Sequence, residues 1–148
     1  MPPLRYEFVY QLKRDFPALT IVLNGGVKTE AEIAQHLQHI DGVMLGRHAY
    51  HEPWSMATWD NTFFNEPNPA DAREDVEARW VEYLERCARA GTPWPTAARH
   101  AMGLWNSVPG ARRWRQVWSD HRLKALSPTE VHALACAALA PAVADAAL

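Results

Sequence analysis

Two short apolar runs stand out in the first third of the chain, and each is followed by a glycine turn and a helical pattern. Residues 19–23 form a continuous apolar and β-branched run that ends in an Asn-Gly-Gly turn at 24–26. Residues 42–45 form the second run, which ends in a Gly-Arg turn at 46–47. Continuous runs of this kind are typical of parallel strands that are buried on both faces. The pattern therefore predicts two strand–loop–helix units.

Helices are predicted on either side of the first strand. Apolar residues at i, i+4 and i+8 predict a helix over residues 5–15, which Pro17 prevents from continuing. Thr29 and Glu32 have the spacing of a capping box and predict the start of the next helix. Strand, helix and strand then fit within about thirty residues, the usual size of a βαβ unit.

Beyond residue 60 the pattern becomes helical. Residues 61–75 contain two prolines and are predicted to be a linker. An apolar stripe from Val76 to Cys87 predicts a helix. Further helices are predicted over residues 96–105, over 110–120 and from 127 onward. The second part of the chain, residues 76–148, is therefore expected to be an all-α bundle.

The first part, residues 1–60, has the pattern of the last two βα units of a TIM (β/α)8 barrel, giving an α/β plus all-α fold. A whole barrel needs about 250 residues, and this chain has 148. The expectation is therefore the final portion of a barrel followed by a C-terminal helical domain. The loops after the seventh and eighth strands of such barrels commonly bind phosphate.

Charge is distributed unevenly, although the net charge is only −2. Residues 60–85 contain eight acids and two arginines, whereas residues 99–124 contain six basic residues and one acid. The two cysteines, Cys87 and Cys136, have no metal-binding or disulfide spacing and indicate a reducing compartment. The last eighteen residues are Ala-rich and predict a packed helix rather than a membrane span. A cytoplasmic protein without membrane contact is expected.

The two glycine turns are the first candidate site, for a phosphate. Glycine allows backbone amides to approach an anion closely, and a following helix adds a favourable dipole. Arginine adds a forked donor that suits phosphate. The alternative is that the turns only connect elements. The candidate anion-binding residues are Asn24, Gly25, Gly26, Gly46 and Arg47.

A basic segment is the second candidate site, for RNA phosphates. Its candidates are Arg112, Arg115, Arg113 and Arg99. The alternative is that these arginines are solvated or paired with the acidic segment. Trp114 and Trp118 have the spacing of a core stripe, which we favour over base stacking. The seven histidines are not expected to form a metal site, and His48 and His51 near the second turn lack a carboxylate or thiol partner at ligand spacing.

Six motifs resemble the tRNA-dihydrouridine synthases, and most closely their bacterial A subfamily. They are residues 3–6 (PLRY), 9–17 (VYQLKRDFP), 23–26 (LNGG), 41–47 (DGVMLGR), 99–105 (RHAMGLW) and 109–115 (PGARRWR). The resemblance implies a TIM barrel that carries flavin mononucleotide (FMN), whose phosphate is held by Asn24, Gly25, Gly26, Gly46 and Arg47. It also implies that NADPH reduces the flavin, which then reduces a uridine of the tRNA D-loop, and that arginines of the helical domain bind tRNA.

The resemblance has one departure that affects activity. The family uses a cysteine on a barrel loop as general acid, and nothing in this chain corresponds to it, so no catalytic residue is assigned. Cys87 and Cys136 lie in predicted helices and are expected to be packing residues. The leading hypothesis is a portion of the enzyme that is inactive alone and completed by an N-terminal barrel fragment. The alternatives are a stand-alone tRNA-binding or RNA-binding helical module and an inert truncated product.

Residues 1–60 are predicted to be poorly ordered or self-associating when the chain is expressed alone, because two parallel strands leave open apolar edges. Size-exclusion chromatography and thermal melting of this segment test the prediction. A monomeric segment that melts cooperatively would contradict it.

Overall fold

The structure is a computed structural model that describes residues 3–146, with the side chains of residues 3–139. Ten α-helices and strands follow one another in this part of the chain. They are α1 (Tyr6–Asp15), β1 (Val22–Asn24), α2 (Glu30–Leu37), β2 (Gly42–Met44), α3 (Arg47–His51), α4 (Trp59–Phe64), α5 (Arg73–Arg89), α6 (Trp94–Ala98), α7 (Ala111–Ser119) and α8 (Pro128–Ala146). Short 3-10 turns occur at Pro53–Met56, Arg99–Ala101 and His121–Leu123.

Two compact units divide the chain, Met1–Ala49 and Tyr50–Leu148, and we call them the first and the second unit. The division falls within α3, earlier along the chain than the linker that the sequence predicts at 61–75. Helix α4 occupies the beginning of that predicted linker. Within the described part of the chain, no helix combines the length and the apolar character needed to span a membrane.

The first unit contains a βαβ arrangement, as predicted. Strands β1 and β2 pair in parallel, with Leu23 opposite Val43 and Asn24 opposite Met44. Each strand is only three residues long, and β1 begins later than the apolar run that predicts it. Asn24 is the last residue of β1 rather than part of the turn.

The predicted burial of both strand faces is wrong in this structure. Leu23 is buried at 2% exposure, whereas Val22 and Met44 on the two strands are 56% and 46% exposed. Helix α1 agrees with the helix predicted over residues 5–15, and its apolar residues Phe8 and Leu12 are also exposed. Apolar periodicity thus identifies the helix and the strands. Among the described residues, however, some of their apolar faces are not covered by another element.

Asp41 ties β2 to the segment that precedes β1. Its carboxylate accepts a hydrogen bond from the Ile21 amide at 2.8 Å and forms an ion pair with Lys13 at 2.8 Å. Lys13 also donates to the carbonyls of Pro17 and Leu19. One carboxylate and one ammonium group therefore fix the turn between α1 and β1.

The second unit is helical and has a core rich in tryptophan. Helices α7 and α8 pack together, and α5 packs against α6 and α8. Trp114 and Trp118 are exposed by only 0% and 3%, so the predicted core stripe of α7 is confirmed. The helix predicted over 96–105 is wrong in its bounds. Helix α6 ends at Ala98, a 3-10 turn follows at Arg99–Ala101, and turns lead on to α7.

Glu77 on α5 is the one buried acid in the described core, with 1% exposure. Its two carboxylate oxygens accept hydrogen bonds from the indole N–H groups of Trp105, at 3.0 Å, and Trp114, at 2.6 Å. A buried N–H without an acceptor costs about 1–3 kcal/mol. Glu77 therefore satisfies two core tryptophans at once and links α5 to α7.

Asp41→Asn is expected to loosen the first unit at neutral pH. Hydrogen bonding from the Ile21 amide, together with Lys13, lowers the pKa of the Asp41 carboxyl below its ordinary value of 3.8. Because the pKa of Asp41 is lower in the folded state, its ionised carboxylate stabilises the folded state fully above pH 3.8. This stabilisation is lost as the pH falls through the folded-state pKa. Hydrogen exchange of the Ile21 amide is therefore expected to be several-fold faster in the variant at pH 7 and to match the unmodified chain in acid.

Asp15→Asn is the matched control in the same unit, since Asp15 pairs with the side chain of Gln11. Equal exchange of Ile21 in both variants and in the unmodified chain at neutral pH would contradict the prediction.

Candidate functional site

The first candidate site lies where the two strands of the first unit end. Because β1 and β2 are parallel and Asn24 pairs with Met44, the loops that follow them leave the same edge of the sheet. Carboxyl ends of parallel strands are the usual position of ligand sites in α/β folds. The pairing thus brings the predicted residues of the two turns into one region. Those residues are Asn24, Gly25, Gly26, Gly46 and Arg47.

The glycine loop is held from the amino-terminal side of α1. The Tyr6 hydroxyl donates a hydrogen bond to the Gly25 carbonyl at 2.8 Å. Gly26 has φ +71°, and a Cβ there would lie 2.9 Å from Leu4 Cδ1 and 3.2 Å from the Tyr6 hydroxyl oxygen. Gly26 is therefore favoured by its left-handed backbone, and a larger residue there would also displace the ends of the Leu4 and Tyr6 side chains. Sequence reasoning did not assign this positioning role to Leu4 and Tyr6.

The beginning of α2 is less suited to an anion than the pattern indicates. The capping box is confirmed, since Thr29 accepts from the Glu32 amide and Glu32 accepts from the Thr29 amide. The Glu32 carboxylate also accepts from the Lys28 amide, and this bond, followed by that from Thr29, lowers the pKa of Glu32. Two acids in the first turn cancel the positive end of the helix dipole.

Arg47 supplies the positive charge of this candidate site. It begins α3 and is exposed, and in the part of the chain that the structure describes its guanidinium has no ion-pair partner. A phosphate beside the two loops would thus be bound by loop amides and by Arg47. The donor set of backbone N–H groups and one guanidinium suits the phosphate end of a nucleotide cofactor.

The second candidate site is a concave surface of about 210 Å³ within the second unit. It brings together two of the four predicted arginines, Arg99 and Arg115, which are sixteen positions apart in the sequence. The lining residues are Tyr50, His51, Arg99, His100, Met102, Gly103, Asn106 and Arg115. Its positive charge and aromatic and imidazole rings suit a phosphate or a nucleotide.

Asn106 organises this concave surface, and sequence reasoning did not identify it. Its side-chain oxygen accepts from Arg115 at 2.5 Å, and its side-chain nitrogen donates to the His51 carbonyl at 2.6 Å. Gly103 lies against the same segment, because a Cβ there would overlap the His51 carbonyl and lie 2.9 Å from Pro53 Cδ. Arg115 is therefore held in place, whereas Arg99 contacts the neighbouring His100 ring at 3.2 Å.

The other two predicted arginines lie outside this lining. Arg112 and Arg113 are exposed in the first turn of α7, whose N-cap Gly110 makes no side-chain cap. Positive side chains at a helix N-terminus are electrostatically unfavourable. An anion bound there would relieve that repulsion, so the first turn of α7 is suited to a phosphate.

Neither cysteine forms a catalytic arrangement with the residues of either candidate site. Cys87 lies on α5 and is half-buried, while Cys136 lies on α8 and is exposed. The expectation that Cys136 is a packing residue is therefore wrong, because the buried stripe of α8 runs through Val131, Ala135 and Leu139 instead.

Comparison with curated proteins identifies relatives of known activity. The chain is 44% identical over 131 residues to the tRNA-dihydrouridine(20/20a) synthase of Vibrio cholerae and 46% identical over 131 residues to that of Pseudomonas aeruginosa. Each alignment covers 88% of this chain and 40% of the relative. The Yersinia pestis enzyme of the same name is 46% identical over 125 residues, which are 84% of this chain and 36% of that protein. The chain thus spans about two fifths of the length of these relatives.

A family model agrees with these relatives and with the motifs from which the resemblance was inferred. The model described as "Dihydrouridine synthase (Dus)" matches residues 1–139, which include both candidate sites. The chain therefore belongs to the dihydrouridine synthase family.

Proposed function

We propose that this chain contributes the phosphate-binding end of an FMN site and a tRNA-binding surface to a tRNA-dihydrouridine synthase. The observation that carries the proposal is the pairing of β1 with β2, which puts two glycine loops and Arg47 at one edge of a parallel sheet. The names of the relatives specify positions 20 and 20a of tRNA, and we propose the same substrate class for the complete enzyme.

The first unit is proposed to hold FMN by its phosphate. The amides of Gly25, Gly26 and Gly46 and the guanidinium of Arg47 are its donors, and Asn24 lies at the end of β1 beside them. Bound FMN supplies hydride chemistry, with NADPH as the reductant. The role of this chain's residues is to bind and orient the cofactor. Tyr6 and Leu4 keep the glycine loop in the conformation that this role needs.

The second unit is proposed to bind tRNA through phosphate contacts. Arg115 is positioned by Asn106 beside Arg99, and Arg112 and Arg113 extend the positive surface along the first turn of α7. Structured RNA is recognised largely through its shape, its phosphates and its 2′-hydroxyl groups. Exposed and positioned arginines on one unit are suited to that kind of recognition.

No residue of this chain is proposed as the catalytic acid, since both cysteines lie on helices of the second unit. Reduction of uridine is therefore proposed to require barrel strands beyond β1 and β2, in the same polypeptide or as a complementing fragment. The exposed apolar side chains of the first unit support this requirement, because they offer a surface against which further barrel elements can pack. They include Leu4, Phe8, Leu12, Phe16 and Leu19.

Arg47→Ala is expected to weaken FMN binding by about tenfold, because a charge-assisted hydrogen bond contributes about 1.5 kcal/mol. Titration of the 148-residue chain with FMN, followed by flavin absorbance and fluorescence, measures the affinity. Arg14→Ala removes an exposed arginine of α1 in the same unit and serves as the control. Equal FMN affinity of both variants and the unmodified chain would contradict the role of Arg47. Loss of FMN binding in every sample, with tRNA binding retained, would favour the stand-alone RNA-binding module.

Arg112→Ala and Arg115→Ala are each expected to lower tRNA affinity several-fold and to reduce the slope of log K against log salt by about 0.7–0.9, because each removes one phosphate contact. Filter binding across a salt series measures both quantities. Arg89→Ala, which removes an exposed arginine at the end of α5, should leave the slope unchanged. A combined Arg112, Arg113 and Arg115 alanine variant with an unaltered slope would show that tRNA binds elsewhere.

A further inference from the structure

Three side chains with different donor atoms converge between α5 and α8. His132 Nε2 lies 3.7 Å from Glu77 Oε1, and Cys136 Sγ lies 3.1 Å from the same His132 nitrogen. All three donor atoms lie within 4.8 Å of one another. Neither candidate site described above includes any of these residues, and the sequence analysis expects no metal site here.

The arrangement follows from helix geometry. His132 and Cys136 are one helical turn apart on α8, so their side chains lie on the same face. Val131 and Ala135, the residues preceding them, are fully buried in the core. Helix α8 packs against α5, and Glu77 projects from α5 as a carboxylate with 1% exposure. Two elements distant in sequence thus supply one cluster.

The cluster lacks the geometry of a catalytic relay. In a nucleophile–histidine–carboxylate relay the two ring nitrogens contact different partners, one the nucleophile and the other the acid. Here the single atom Nε2 of His132 faces both the thiol of Cys136 and the carboxylate of Glu77. Three donors of different chemistry within 4.8 Å of one another are instead suited to coordinating a cation.

The electrostatics of Glu77 also favour a cation. Its hydrogen-bond donors are the neutral indole groups of Trp105 and Trp114, and in the described part of the chain no lysine or arginine pairs with it. Each carboxylate oxygen has capacity for another interaction beyond one indole bond. A buried carboxylate is stabilised by pairing or by coordinating a metal.

We propose that Glu77, His132 and Cys136 bind a divalent transition-metal ion, for which Zn²⁺ is the best match to one oxygen, one nitrogen and one sulfur donor. Zinc bonds of about 2.0 Å to nitrogen and oxygen and about 2.3 Å to sulfur put tetrahedral ligand atoms roughly 3.3–3.6 Å apart. The separations of His132 Nε2 from Cys136 Sγ, 3.1 Å, and from Glu77 Oε1, 3.7 Å, lie close to this range, and a side-chain rotation that brings Cys136 nearer to Glu77 completes the site. Water or a ligand takes the fourth position.

The surroundings provide what such a site needs. Trp105 and Trp114 orient the Glu77 carboxylate from behind, as the outer partners of metal ligands commonly do. His132 is 29% exposed at its side chain and Cys136 is exposed, which gives the ion a route from solvent.

Titration of the reduced, metal-free 148-residue chain with Co²⁺ and Zn²⁺ tests the proposal. One Co²⁺ per chain is expected, with the visible bands of a tetrahedral ion and a near-ultraviolet thiolate-to-cobalt charge-transfer band. Zn²⁺ should displace it and raise the melting temperature. Because the chain contains only two cysteines, the charge-transfer band is assignable by substitution. Cys136→Ser should abolish the band, and Cys87→Ser should leave it unchanged.

His132→Ala should weaken Co²⁺ binding at least tenfold, with His121→Ala, an exposed histidine outside the cluster, as its control. Both His132→Ala and Cys136→Ser change side chains that are at least partly exposed, whereas Glu77→Gln would also change the acceptor of two buried indole groups. Absence of Co²⁺ binding by the folded, reduced chain would overturn the proposal. So would a band that survives Cys136→Ser, or a stoichiometry of one ion for two chains.

Discussion

The buried carboxylate of Glu77 is the constraint on which the second unit depends. Buried indole N–H groups are stabilised by acceptors, and Glu77 provides them for both Trp105 and Trp114, whereas the buried indole N–H of Trp118 has no acceptor among the described residues. Trp114 also contacts the rings of Trp80 and Trp118, so the hydrogen bond fixes the centre of the aromatic cluster. Because successive helical residues are rotated by about 100°, burying Trp114 determines the exposure of its neighbours. Arg112 and Arg113 are consequently exposed, and Arg115 is half-buried beside Asn106.

The sequence predicts well those features that depend on near neighbours. Helix α1, the Thr29–Glu32 capping box and the buried stripe of α7 are each encoded by residues only a few positions apart, and the structure confirms them. Features that depend on distant partners could not be predicted in this way. Glu77 resembles any solvated acid of a charged helix until Trp105 and Trp114 are placed beside it, and Asn106 has no role until His51 folds back toward it. The spacing of four between His132 and Cys136 indicates that they share one helix face. It does not indicate their third partner, Glu77, which lies fifty-five residues before His132 in the sequence.

The two candidate sites present their positive charge in different ways. In the first unit the backbone of the glycine loop is held in place by Tyr6 and contacts Leu4. The Arg47 side chain, by contrast, is exposed and has no ion-pair partner among the described residues. In the second unit a side chain is organised, because Asn106 holds Arg115. A positioned donor loses little freedom on binding, whereas a free arginine contributes mainly through long-range attraction. The first arrangement suits a small ligand of fixed shape, and the second, with exposed Arg112 and Arg113 nearby, suits an extended polyanion.

The structural role of Glu77 and metal coordination by it are compatible. Each carboxylate oxygen uses one acceptor direction for an indole N–H and retains another, so a cation at His132 and Cys136 need not remove Trp105 or Trp114 from their acceptor. Such a cation would add positive charge beside a buried carboxylate whose two hydrogen-bond donors are neutral indoles. It would also join α8 to α5 through the same residue that joins α5 to α7. The orientation of α7, and with it the exposure of Arg112 and Arg113, would then rest on one carboxylate stabilised from two sides.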